Sequence, residues 1–108
     1  MDGNIKISDE ALAVIAGIAA TEVEGVASMS GNITNELVSR FGVKSLSKGV
    51  KVNVDEDKVY VDLAVNIQYE HNIPEVSRNV QERVKTILES MTGLTVEEVR
   101  IKVTGVTV

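Results

Sequence analysis

The stretch VKVNVDEDKVYVDLAVNIQYE, residues 50–70, decides the fold class. Val50, Val52 and Val54 alternate with Lys51, Asn53 and Asp55. After Asp55, Glu56, Asp57 and Lys58 the alternation resumes, with Val59, Val61, Leu63, Val65, Ile67 and Tyr69 on one side. Tyr60, Asp62, Ala64, Asn66, Gln68 and Glu70 stand on the other. A period of two with one apolar side describes a strand with one buried face. Two such runs joined by four polar residues describe a hairpin. The apolar side of this hairpin needs a cover, and the flanking sequence supplies one.

Downstream, Pro74 opens a helical pattern. Proline at the first helical position loses nothing, because its missing N–H would have no partner there. Val76, Val80, Val84, Ile87, Leu88 and Met91 trace one helical face, and Arg78, Gln81, Glu82, Lys85 and Glu89 cover the other. Gly93 is placed to stop the helix in the left-handed conformation, with Leu94 folding back on Leu88. The last strand carries Val99, Ile101 and Val103 inward. Val106 and Val108 have the opposite parity, which a bulge at Gly105 would produce.

Upstream, Ser8 suits an N-cap, and Asp9 and Glu10 fall where the helix dipole favours acids. Leu12, Ile15, Ile18 and Ala19 make an apolar stripe, and Ala13, Ala16, Gly17 and Ala20 a second stripe of small residues. Small residues let another backbone approach closely, either within the chain or between subunits. Ile5 and Ile7 suggest a short opening strand and Val26–Met29 another. Ile33, Leu37, Val38 and Phe41 suit a short helix capped by Thr34 and stopped by Gly42, and Ser45–Gly49 reads as a loop. The order is strand, helix, weak strand, short helix, hairpin, long helix, strand. It predicts an α+β fold: a mainly antiparallel sheet with two principal helices packed on one face, in a single domain spanning residues 1–108.

Composition narrows the function. The 108 residues include 16 acidic and 11 basic side chains, one histidine and no cysteine, for a net charge of −5. Thiolate catalysis, disulfides and cysteine-based metal sites are excluded. The uncharged run Ala11–Thr21 is too short to span a bilayer, which takes about 20 residues, and without a basic region before it does not read as a signal peptide. Direct membrane insertion is not expected. His71, between the long strand and Pro74, reads as a solvated loop residue, since no motif supplies a catalytic partner. Asp55, Glu56 and Asp57 lack calcium-loop spacing and read as a solvated turn. No catalytic, metal or cofactor site is expected.

Charge is distributed unevenly. Residues 1–36 carry six acids and one base, residues 37–54 four bases and no acid, and residues 55–76 six acids and one base. The bases are Arg40, Lys44, Lys48 and Lys51. Such a segment in an acidic chain either docks on an acidic surface or phosphate, or pairs with the chain's own acids. Nucleic-acid binding is disfavoured, with only Phe41 for stacking and no Gly-x-x-Gly loop.

Four segments carry a resemblance: IAGIAATEVEGV at 15–26, LSKGVKV at 46–52, IPEVSRNVQERV at 73–84, and MTGL at 91–94 with the strand running to Gly105 and Val106. In this order they resemble the alkaline shock protein family of Gram-positive bacteria, over nearly the whole chain. The resemblance implies a non-enzymatic cytoplasmic protein linked to envelope homeostasis and stress. Some members are held at the membrane by an anchored partner and self-associate, which makes a homo-oligomer and a membrane-anchored relative the expected partners. Others connect with fatty-acid synthesis through acetyl-CoA carboxylase. The family carries no catalytic residues over to this chain. Two contact surfaces are expected: the basic segment Arg40, Lys44, Lys48 and Lys51, and the outer side of the long helix, Arg78, Gln81, Glu82 and Lys85, beside His71.

Overall fold

A single strand organises the molecule. The computed structural model describes residues 7–29 and 49–107, and each of the other strands among these residues pairs with β3 (Lys58–Gln68). Along one edge, β2 (Val50–Asp55) lies antiparallel, with Val50 opposite Leu63 and Asp55 opposite Lys58. β1 (Val26–Met29) continues along that same edge, also antiparallel, with Met29 opposite Val65. Between them the Ala64 N–H donates to the Gly49 carbonyl at 2.8 Å. Met29 and Gly49 therefore stand beside adjacent β3 positions, Val65 and Ala64. β4 (Thr95–Thr107) fills the opposite edge over the full length of β3.

The α+β arrangement with helices on one face is as expected, and two of the three strand pairings are antiparallel. The third, β3 with β4, is parallel. Alternation does not encode direction, but the connection does: a helix between two strands returns the chain to the starting end. That helix is α2 (Ile73–Thr92). It starts one residue before Pro74, because Asn72 caps it by accepting from the Glu75 N–H at 2.9 Å. Gly93 ends it at φ 72°, donating to the Glu89 carbonyl, and Leu94 packs against the core.

The core lies between the sheet and the helices. Val59, Val61, Leu63, Val65 and Ile67 of β3 are at most 1% exposed, and Val76, Val80, Val84 and Leu88 of α2 close over them. The helix α1 (Asp9–Thr21) is capped by Ser8, whose hydroxyl accepts from the Ala11 N–H. Its buried side is Leu12, Ala13, Ala16, Gly17, Ala19 and Ala20. The small-residue stripe thus packs within the chain, and Ile18, expected inside, is turned to solvent. Branched side chains on β3 and α2 already fill the depth between layers, so small residues let α1 fit.

Three further positions depart from the simple pattern. Tyr69 is 61% exposed, because β3 ends at Gln68 and Glu70 turns the chain with φ 80°. Met91 is 53% exposed in the last turn of α2. The parity switch near Gly105 is a bulge: Val65 faces Val103 and Asn66 faces Gly105, leaving Thr104 extra. A second register shift leaves Glu97 extra between Val96 and Glu98. It brings both Val96 and Val99, an odd spacing apart, to the core. Of the expected opening strand, Ile7 is irregular and partly buried, and Ile5 lies outside the described residues, as does the short helix expected over 33–42.

Candidate partner-binding surfaces

Helices cover one side of the sheet. The other side is a lattice of alternate residues from β2, β3 and β4, placed in rows by the strand register. Asn53, Tyr60 and Glu98 form one row, Lys51, Asp62 and Arg100 the next, and Ala64 with Lys102 a third. Ser28, Asn66 and Thr104 close the lattice as a hydrogen-bonded ladder: Asn66 Nδ2 donates to Ser28 Oγ, and Thr104 Oγ1 donates to Asn66 Oδ1, both at 3.0 Å.

Arg100 is held at its centre. Its Nε and Nη2 donate to the two Asp62 oxygens at 2.5 and 3.0 Å, and Glu98 Oε1 lies 3.1 Å from Nε. The Asp62 hydrogen bond, then the charges of Asp62 and Glu98, hold the guanidinium above its already high ordinary pKa. Arg100 is thus a cation paired with two carboxylates. Two depressions open on this face, both lined by Lys51, Asp62 and Arg100. Alternating charges on the polar parity of β3 and β4 were the signal for this cluster, visible in the sequence only once those strands are known to be neighbours.

The expected contact residues separate. Lys51 is exposed on the bare face of the sheet; Arg40, Lys44 and Lys48 lie outside the described residues. Arg78, Glu82 and Lys85 are exposed on one sector of α2, on the opposite side of the molecule. Gln81 is exposed too, but its Nε2 donates to the Val99 carbonyl at 2.8 Å, tying α2 to β4. Arg83 reaches Glu22 at 3.3 Å, tying α2 to the end of α1.

His71 is not the solvated loop residue its neighbours suggested. It is half-buried, its ring carbons meet the backbone at Gly25, and its Nδ1 is buried with no hydrogen-bond partner among the described residues. It packs inward instead of extending the α2 surface. Among the described residues no set of histidine and carboxylate side chains is gathered to hold a metal, and no helix is long and apolar enough to cross a membrane.

A family model matches the chain over residues 1–108: the alkaline shock protein 23 family, described as having a cell envelope-related function. The chain belongs to this family. It is 40% identical to the uncharacterized protein YqhY of Bacillus subtilis, covering 96% of this chain and 77% of that one. It is 38% identical to the uncharacterized protein Spy1614 of Streptococcus pyogenes, covering 99% and 90%. A stress response regulator gls24 homolog of Streptococcus pyogenes is 29% identical, with 96% of this chain matching 59% of that longer protein. No solved structure matches. Neither the family description nor these names indicates an enzyme, and together they support a role related to the envelope and to stress.

Proposed function

We propose that this chain is a non-enzymatic scaffold or adaptor on the cytoplasmic side of the cell envelope, acting through protein contacts and self-association. The observation carrying this reading is the one-sided helix layer. The sheet's second face is free of helix cover among the described residues and is studded with charge, Lys51 among it. An enzyme of this size would place converging polar groups in a concave pocket; here the depressions open on an exposed sheet face and Arg100 is engaged by carboxylates. The family description and the stress-response names of the gls24 homologs agree with a structural or regulatory role. Two contact regions follow: the basic segment Arg40, Lys44, Lys48 and Lys51, and the Arg78, Glu82 and Lys85 sector of α2. Lys51 stands on β2 and the second region on α2, a separation that suits a bridging protein.

The test is capture from lysate of a Gram-positive host, with membrane and soluble fractions kept apart, beside a variant carrying Arg40→Glu, Lys44→Glu and Lys48→Glu. Exposed charge pairs are individually weak, so the triple change is the fair comparison. The expected result is an integral membrane protein recovered by the wild type and lost with the variant. Binding unchanged at low salt removes the basic segment from the reading. Recovery of a soluble enzyme of lipid synthesis in its place replaces the envelope scaffold with a metabolic regulator.

A further inference from the structure

The floor of the bare sheet face is unusual for its lack of side chains. Ala64 stands mid-strand on β3, and the lane beside it is occupied by Gly49, which pairs with it through the backbone. With no large side chain at either position the face sinks, and the depression is about 670 Å³, with Lys51, Asp62, Arg100 and Lys102 among its lining. Along the same face of β3, Asn66 follows Ala64 in one direction and Tyr60 stands beyond Asp62 in the other.

The charges around this recess are unequal in kind. Arg100 is already satisfied by Asp62 and Glu98. Lys51 and Lys102 have no ion-pair partner among the described residues, and both are exposed. Strand spacing and rise put their Cα atoms about 12 Å apart, on opposite sides of the Ala64 floor. In a chain of net charge −5, two cations without an ion-pair partner among the described residues thus stand across a recess floored by small residues.

We infer that this recess is a docking surface for an acidic segment of a partner protein, whose carboxylates meet Lys51 and Lys102 while its backbone lies over Ala64. The inference rests on the protein-contact reading above and names the face and the chemistry. A phosphate group fits less well. Tight phosphate sites converge several donors on one point, whereas these two cations are far apart and the Ala64 N–H is spent on Gly49. Nucleic acid would require more backbone cations and stacking rings than the recess offers. A membrane surface calls for a cluster of roughly four to eight bases. Two spaced carboxylates on one peptide are what two spaced lysines match.

The experiment uses the full chain, labelled with nitrogen-15, titrated with a ten-residue glutamate peptide. Inorganic phosphate and a single-stranded DNA oligonucleotide are run as separate arms. The expected result is saturable shifts of the Gly49, Lys51, Ala64 and Lys102 amides, weakened by added salt. Lys51→Glu with Lys102→Glu should weaken binding about tenfold or more, since each reversal replaces an attraction by a repulsion. Ala64→Gln, which fills the floor without changing charge, should also weaken it. The inference is overturned by shifts confined to residues 40–48 or to α2, by equal shifts from phosphate or DNA, or by no shifts. It is also overturned if these amides shift with protein concentration alone, because the occupant is then a second copy. Failure here with an intact lysate capture leaves the scaffold standing. Peptide binding here without any captured partner removes the scaffold and leaves the recess.

Discussion

His71 is packed against the backbone of Gly25, so closely that a Cβ on Gly25 would stand 3.2 Å from both Cγ and Cδ2 of the imidazole. The same Cβ would meet Val76 Cγ2 at 2.6 Å, and Gly25 has φ 101°. One bare Cα therefore lets three elements meet: the turn after α1, the link after β3, and the first turn of α2. The Gly25 carbonyl also accepts from the Gln68 N–H at 2.8 Å, fixing the end of β3 to this junction.

Two glycines with positive φ should respond differently to the same change. Gly25→Ala adds steric overlap to backbone strain and should cost about 3 kcal/mol. Gly93→Ala at φ 72° meets nothing within 4 Å and should cost only about 1 kcal/mol. Urea unfolding midpoints with unchanged slope measure both. Equal losses would mean that close packing at Gly25 is unimportant.

The buried Nδ1 of His71 makes replacement by an apolar ring favourable. A buried polar atom without a partner costs about 1–3 kcal/mol, and removing it can stabilise a fold. His71→Phe should raise the unfolding free energy by about 1 kcal/mol, measured by the same method. A loss of stability would show that the imidazole makes a favourable contact the described residues do not include.

Gln81 and Glu82 are sequence neighbours with different duties. Gln81→Ala removes the bond to the Val99 carbonyl and should cost about 1 kcal/mol. Glu82→Ala touches no such tie and should stay within about 0.5 kcal/mol. Paired unfolding and partner-capture measurements separate them: Gln81 should move stability, and Glu82 capture alone.

The hairpin strands, the two helices and the caps at Ser8 and Gly93 were legible because each is written locally, whereas the Asn72 cap, which starts α2 one residue before Pro74, was not. Alternation at 59–67, the Val76-to-Leu88 spacing, Ser8 and Gly93 each state a short-range preference. The parallel placement of β4 was not legible in its alternation, since direction comes from the α2 crossover. Ile18 misled because hydrophobicity ranked it above alanine, while the buried side of α1 is Leu12 followed by small residues, Ala13, Ala16, Gly17, Ala19 and Ala20. His71 misled for a related reason: its neighbours in sequence are polar, but its neighbour in space is a glycine 46 positions earlier. The bare-face cluster shows the same limit, since Asp62 and Arg100 are 38 residues apart and become partners only through the β3–β4 register.

The shared lane of β1 and β2 sets a boundary condition. Met29 stands beside Val65 and Gly49 beside Ala64, so two points of the chain are held at neighbouring places on β3. A change in the number of residues between them leaves both attachment points where β3 puts them, and by closure entropy each doubling of that number costs only about 0.6 kcal/mol. The frame thus uncouples the energetics of the sheet from the length of whatever joins these two points.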